Sequence, residues 1–205
     1  MKRLVLLVSI CMLFQTSYGQ ISLGLRAGGN LSDQKFKNAD YGNYGKATGL
    51  YGGVFAETRP LSRSFTRAEL NYIQKGVRQK LSEPSYTVRF NYLTFNFLYG
   101  YRLLKNLAVL AGPEIGYLIN VNADSGYEHF FGQNNYNKGD LAADLGIAYN
   151  IFQQLSLEAR YSYGFRILLN QDYVNDFNAG GSAGTRVTNG ANQVLSVGLN
   201  YKFLK

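Results

Sequence analysis

The C-terminal stretch of the chain alternates with a period of two. Gln193, Leu195, Val197, Leu199, Tyr201 and Phe203 share one face, and Asn192, Val194, Ser196, Gly198, Asn200 and Lys202 share the other. Successive side chains of a β-strand point to opposite sides, so this segment reads as a strand with one apolar and one polar face. The pattern recurs upstream. Leu141, Ala143, Leu145, Ile147, Tyr149 and Ile151 oppose Asp140, Ala142, Asp144, Gly146, Ala148 and Asn150. Leu157, Ala159, Tyr161, Tyr163 and Phe165 oppose Ser156, Glu158, Arg160, Ser162, Gly164 and Arg166. Leu93, Phe95, Phe97, Tyr99 and Tyr101 oppose Tyr92, Thr94, Asn96, Gly100 and Arg102. Repeated alternation of this kind suits a closed wall with lipid outside and a polar lumen inside.

Eight strands are expected, over residues 20–30, 47–59, 64–76, 88–102, 106–120, 139–152, 155–168 and 191–204. The fold class is all-β, an eight-stranded antiparallel up-and-down transmembrane β-barrel. The second strand has an ambiguous phase, because Tyr51 and Phe55 share a face with Glu57. Connections after the second, fourth and sixth strands are short. Those after the first, third, fifth and seventh are long, at 31–46, 77–87, 121–138 and 169–190. Short turns on one side and long loops on the other are the asymmetry of an outer-membrane barrel, and an even strand count puts both termini on the short-turn side. With this topology Tyr99, Tyr101, Tyr149, Tyr201 and Phe203 gather near one rim, and Tyr72, Tyr117, Tyr163 and Phe165 near the other. Two such belts match the aromatic girdles of lipid–water interfaces.

The N-terminus carries Lys2 and Arg3, an apolar run from Leu4 to Phe14, and small residues at Ser17 and Gly19. The run is shorter than the roughly 20 residues needed to span a bilayer. Residues 1–19 read as a cleaved signal peptide and 20–205 as one barrel domain. Val8-Ser9-Ile10 before Cys11 is a poor lipoprotein box, so no lipid anchor is expected. Cys11 is the sole cysteine, so the mature chain forms no disulfide. Losing Lys2 and Arg3 lowers the formal charge of +8 by two. No later segment is apolar enough for a transmembrane helix, and only helices and closed sheets satisfy every backbone group in lipid. A soluble lipocalin-type barrel would carry the same alternation inside out. The polar faces are short of the Lys and Glu that keep a soluble exterior wet, and aromatic belts have no purpose in such a fold.

The inward faces hold Glu57, Glu69, Glu114, Asp144 and Glu158, with Arg26, Arg67, Arg102, Arg160, Arg166 and Lys202. A barrel of eight strands is filled by its own side chains, and buried charge is tolerable only when paired. A structural network of Glu69, Glu114, Asp144, Glu158, Arg160, Arg166 and Lys202 is expected to close the lumen. Its centre is placed at Glu158, Arg160, Asp144 and Lys202. A small conducting pore is the rival reading.

No catalytic, cofactor or metal site is expected. His129, the single histidine, lies in a loop with Asp124, Ser125 and Glu128, and an outer-membrane lipid-modifying enzyme would have to use it. A triad is recognised by geometry and not by nearness in sequence. Asp176-Phe177-Asn178-Ala179-Gly180 lacks the complete ligand spacing of a calcium loop. Gly180 to Thr185 lacks the lysine of a phosphate loop. No basic stripe suggests nucleic acid. The loops mix Tyr, Phe, Asn and Gly, as at Tyr41 to Gly45 and Tyr127 to Tyr136, a composition suited to adaptable recognition.

The terminal polar-x-Gly-x-x-aromatic-x-aromatic run, Ser196 to Phe203, resembles the signal by which bacterial outer-membrane barrels reach their insertion machinery. Gly198, Tyr201 and Phe203 carry that resemblance. Further elements are Gly49 to Ala56, Ala68-Glu69-Leu70-Asn71-Tyr72-Ile73-Gln74-Lys75-Gly76, Tyr92-Leu93, Ala111-Gly112-Pro113-Glu114-Ile115-Gly116-Tyr117 and Leu157 to Gly164. Together they resemble the outer-membrane β-barrel family of Bacteroidetes that includes PorT-like proteins. The resemblance covers essentially the whole mature chain. It implies a location in the cell outer membrane after export through the inner membrane. The partners it implies are outer-membrane lipid, lipopolysaccharide and the barrel-insertion machinery. Two roles follow as expectations. One is a non-enzymatic barrel with a structural or partner-docking role through its outer loops. The alternative is an accessory subunit of a protein secretion and gliding complex, touching other envelope or secretion proteins.

Overall fold

The computed structural model describes residues 21–36, 44–58, 63–79, 86–123, 137–165 and 190–203. Eight strands follow one another as β1 (Ile21–Phe36), β2 (Tyr44–Thr58), β3 (Ser64–Gln79), β4 (Tyr86–Arg102), β5 (Leu107–Ala123), β6 (Gly139–Asn150), β7 (Leu155–Gly164) and β8 (Gly190–Lys202). Each pairs antiparallel with the next. β8 returns to β1, with Gly24 opposite Lys202 and Phe36 opposite Gly190, and closes the barrel. Closure leaves no sheet edge along the wall, the condition for strands to cross lipid.

The apolar rows face outward. Leu145 is 64% exposed, Ile115 59% and Leu50 67%, whereas Glu69, Glu158, Asn96 and Asn200 are buried. This excludes the inverted, apolar-in arrangement of a soluble barrel. Along β6 the outward row from Leu141 to Ile151 covers about 25 Å of height at the usual rise and tilt, the thickness of an outer-membrane apolar band. Exposed Tyr99, Tyr101, Tyr149, Tyr201 and Phe203 flank the band at the short-turn end, and exposed Tyr72, Tyr117, Tyr163 and Phe165 flank it toward the long-loop end.

Two features depart from the sequence reading. β1 and β3 run further than expected, to Phe36 and Gln79, and β2 and β4 begin earlier, at Tyr44 and Tyr86. β3 pairs with β4 as far as Gln79 opposite Tyr86. Here the inward positions are Val77, Val88 and Phe90, so the polar-in pattern breaks while the backbone ladder persists. β6 ends at Asn150 and β7 at Gly164, so the wall is lower there than along β1–β5.

The phase of β2 is settled. Tyr51, Phe55 and Glu57 all point inward, and Leu50 and Val54 outward. β2 keeps this phase against β1 in continuous register from Thr58 opposite Ile21 to Ala47 opposite Ser32. The inward rings need room, and glycines supply it. A Cβ on Gly198 would lie 2.3 Å from the Tyr51 hydroxyl and 2.8 Å from the Cα of Gly28, its partner across the β1–β8 seam. Gly24 likewise yields to the Phe55 ring.

Candidate functional site: the filled lumen

The interior has three levels. At the short-turn end, Phe65, Leu98, Ala108, Leu110 and Ala148 form an apolar cluster beneath β3–β6. Toward the loop end, Tyr51, Ile73, Val77, Val88, Phe90, Tyr92, Leu118 and Val194 form a second. Charged side chains occupy the middle and lean on both clusters.

The middle is built around two glutamates facing each other across the lumen, Glu69 on β3 and Glu158 on β7. Arg160 takes Glu69 in a two-pronged pair, at 2.7 and 2.8 Å, and also bonds Glu158. Arg26 of β1 bonds Glu69 and reaches Glu158 at 3.3 Å. Arg67 of β3 donates to Glu158 at 2.6 Å and to Glu57 at 2.6 and 2.9 Å. Bidentate, charge-assisted bonds of this kind are the strong class of hydrogen bond, and they offset the cost of burying the ions. Alternation explains the assembly: each member occupies an inward position of its strand, and the eight-stranded circumference brings opposite walls within side-chain reach.

The network extends in both directions. Toward the turn end, Lys202 bonds Glu57 at 2.5 Å. Toward the loop end, Asn71 links Glu69 to Asn96, which donates to Glu114 at 2.9 Å and to Asp144 at 2.6 Å. Lys75 then bridges Glu114 at 2.7 Å and Asp140 at 2.9 Å. Ser162 caps Asp144, and Asn192 caps Asp140. A continuous chain of polar contacts therefore runs from Lys202 to Asn192.

Aromatic rings tie the network to the clusters. The Arg67 guanidinium lies 4.9 Å from the Phe55 ring and 5.8 Å from the Phe65 ring. Arg26 stacks on Tyr51 and Lys75 on Tyr92. Such contacts strengthen when desolvated, as here. One polar cavity of about 20 Å³, bordered by Arg26, Asn71, Asn96, Glu114, Arg160 and Ser196, has room for about one water.

Of the residues named from sequence, Glu69, Glu114, Asp144, Glu158 and Arg160 come together in the middle of the lumen. Lys202 does not join that centre. It pairs with Glu57 nearer the rim, because its inward position is six residues turnward of Ser196, the residue opposite Arg160. Arg166 lies outside the described residues, as do Asp124, Ser125, Glu128, His129 and the stretch 176–185. Arg102 stacks on Phe65 at 5.7 Å. Gly198 packs under Tyr51, while Tyr201 and Phe203 are exposed on the outer wall. Sequence reasoning missed Lys75 and Asp140. Lys75 has the parity of Glu69, Asn71 and Ile73, and Asp140 that of Asp144, so parity alone would have found both.

This arrangement holds charges in place and leaves little room for a ligand. The buried carboxylates are engaged by arginine, lysine, amide or hydroxyl groups. Among the described residues, no group of three or more His, Cys, Asp or Glu could hold a metal ion.

Comparison with known proteins gives a consistent picture. The family described as "Outer membrane protein beta-barrel domain" matches residues 14–170. Among solved structures, the chain is similar to Neisserial surface protein A, at 16% identity and a TM-score of 0.59, covering 90% of this chain and 99% of that one. It is also similar to Ail, the attachment invasion locus protein of Yersinia pestis, at 12% identity and a TM-score of 0.49, covering 90% and 99%. A third is the outer membrane protein OprG from Pseudomonas aeruginosa, at 13% identity and a TM-score of 0.47, covering 92% and 99%. The likeness to the Neisserial protein shows a shared fold; the two weaker ones carry no further weight. No curated protein matches the chain significantly.

Proposed function

Because this chain belongs to the outer membrane protein beta-barrel domain family, we propose that it is a non-enzymatic outer-membrane barrel whose lumen serves stability and whose outer end docks partners. The observation that carries this reading is the filled lumen. Arg160 and Glu69 join opposite walls, and an apolar cluster lies on each side of the charged middle. An ion crossing the barrel would have to break buried pairs and then shed its water among Phe, Leu and Val side chains. The surfaces left for function are the rim and the loops on the long-connection side, which faces the cell exterior in barrels of this kind.

Purified protein in a planar bilayer is expected to give no discrete ohmic steps; stable steps would overturn the sealed-lumen reading. Crosslinked affinity purification of a tagged copy from its own membrane tests the docking role. Recovery of a stoichiometric set of secretion proteins would favour the secretion-subunit role that the sequence resemblance implies. Recovery of the barrel alone would overturn stable docking to other envelope proteins.

Cleavage of residues 1–19 and recognition of Gly198, Tyr201 and Phe203 by the insertion machinery belong to the same proposal. Support for the latter comes from Tyr201 and Phe203, whose rings project from the outer wall of the last strand, where another protein can reach them. An intact mass that includes residues 1–19 would count against cleavage. Unchanged insertion of a Phe203→Ser variant would count against the terminal signal.

A further inference from the structure

The apolar outer band is not equally tall all the way round. On β5 the outward apolar residues run from Leu107 to Tyr117 and on β6 from Leu141 to Ile151, about 25 Å at the usual rise and tilt. On β2 they run only from Leu50 to Ala56, about 15 Å, and on β3 from Ala68 to Tyr72, about 10 Å. β2 and β3 stand across the ring from β6 and β7, so the short band lies on the opposite side of the barrel from the tall one.

Polar side chains close the short band at both ends. At the loop end the next outward residues are exposed Thr48 on β2 and half-buried Gln74 on β3. The Gln74 Oε1 accepts from the Leu50 N–H at 3.4 Å. At the turn end stand Thr58 and Thr66. Their hydroxyl oxygens are 3.2 Å apart, and the Thr66 N–H donates to the Thr58 hydroxyl at 3.0 Å. Register sets Ile21, 59% exposed, opposite Thr58, and Tyr99, 56% exposed, opposite Thr66. The threonine pair therefore interrupts a ring that is apolar on both flanks. The band between is also thin in side-chain bulk: Gly52, Ala56 and Ala68 take outward positions, and no outward residue of β2 from Lys46 to Thr58 is aromatic.

A bilayer of uniform thickness would press hydrocarbon against Thr48, Thr58, Thr66 and Gln74. Tilting the whole barrel gives no relief, because tilt moves the top and bottom of a band the same way, and here both ends draw inward. A short apolar span is met instead by local thinning of the bilayer, at modest cost per ångström. We propose that the outer membrane thins beside β2–β3 and keeps its ordinary thickness beside β5–β7, so that the β2–β3 face fits short or splayed acyl chains. Lipid is the occupant because the outer wall of a barrel of this family is ringed by it. The inference holds whichever end of the barrel faces the cell exterior.

The chain has no tryptophan, so a single introduced one reports its own depth. Register followed from Thr66 through Tyr99 and Ala111 reaches Leu145. Strand tilt raises that path by about four residues over three strands, which puts Tyr149 level with Thr66. The test compares Thr66→Trp and Tyr149→Trp variants of the full-length barrel in phosphatidylcholine vesicles brominated at mid-chain. Folding is first checked by the mobility difference between boiled and unboiled samples. Thinning is expected to leave the Thr66→Trp variant at least twofold less quenched than the Tyr149→Trp variant, and to reverse the order with bromine near the headgroup. Equal mid-chain quenching would overturn the proposal. So would weak quenching of the Thr66→Trp variant by bromine at every depth, the mark of a face covered by protein. A Thr58→Leu, Thr66→Leu variant gives a second reading, since it lengthens the short band. Its folded yield is expected to exceed that of the unaltered barrel at least twofold in oleoyl-chain vesicles and to match it in lauroyl-chain vesicles. An equal gain in both, or none in either, would count against thinning.

Discussion

Arg160 of β7 holds Glu69 of β3 with both terminal guanidinium nitrogens, Nη1 to Oε2 at 2.7 Å and Nη2 to Oε1 at 2.8 Å. β3 and β7 lie on opposite walls of the closed sheet, so this pair is a strut across the lumen. Arg67 to Glu158, at 2.6 Å, is a second strut between the same two strands, in the reverse sense.

Removing one partner of the strut strands the other. Glu69→Gln leaves Arg26 and Arg160 with less than their compensating charge, and a loss of about 3–5 kcal/mol in unfolding free energy is expected. Adding Arg160→Met is expected to recover part of it, because one uncompensated cation goes. Urea unfolding in lipid vesicles measures both. A loss below about 1 kcal/mol for the single variant would show that the pair is not structural.

The Tyr51 ring over the β1–β8 seam makes Gly198 intolerant of a side chain. The added methyl of Gly198→Ala would meet the Tyr51 hydroxyl at 2.3 Å and the Ala27 carbonyl oxygen at 2.3 Å. A cost of about 1–3 kcal/mol is expected from overpacking. Gly29→Ala, whose nearest contact would be 3.8 Å, is the matched control and is expected to be nearly neutral. Equal behaviour of the two in the same unfolding assay would contradict the packing.

Leu145, 64% exposed on β6 midway along the outward row, faces the centre of the apolar band. Leu145→Arg is expected to cost about 2–4 kcal/mol, against about 0–1 for Leu104→Arg in the β4–β5 turn. A comparison of the two unfolding midpoints checks the depth assignment. A reversal of the order would place the membrane elsewhere on the wall.

Phe65 fills the turn-end cluster, stacks on Arg67 and lies over Gly100, where a Cβ would be 2.2 Å from the ring. Phe65→Ala is expected to destabilise by about 3–5 kcal/mol. It is nonetheless expected to remain non-conducting, because the ion pairs and the loop-end cluster still close the lumen. Ohmic steps from this variant alone would show that Phe65 is the sole gate.

Much of the wall was legible one strand at a time. The alternation in β4, β6, β7 and β8 assigns inward and outward faces because a pleated strand separates neighbouring side chains whatever surrounds it. The reading stopped β3 short where its inward position turns apolar, at Val77, because alternation cannot distinguish a lumen lined by hydrocarbon from the end of a strand. It also left β2 open, because Tyr51 and Phe55 face inward beside Glu57. The reason lies on other strands, in Arg26, Arg67, Gly24 and Gly28.

By itself, the sequence determined an eight-stranded all-β chain with an apolar outside and the charges that must be buried within it. Both follow from local periodicity and the cost of unpaired polar groups in lipid. Only the tertiary structure decided who pairs with whom. Glu69 meets Arg160 because closure sets β3 opposite β7. Lys202 goes to Glu57 because closure sets them on either side of β1 near the turn end, opposite Gly24 and Ser22. Partnership across a barrel depends on circumference and register, and no single strand carries that information.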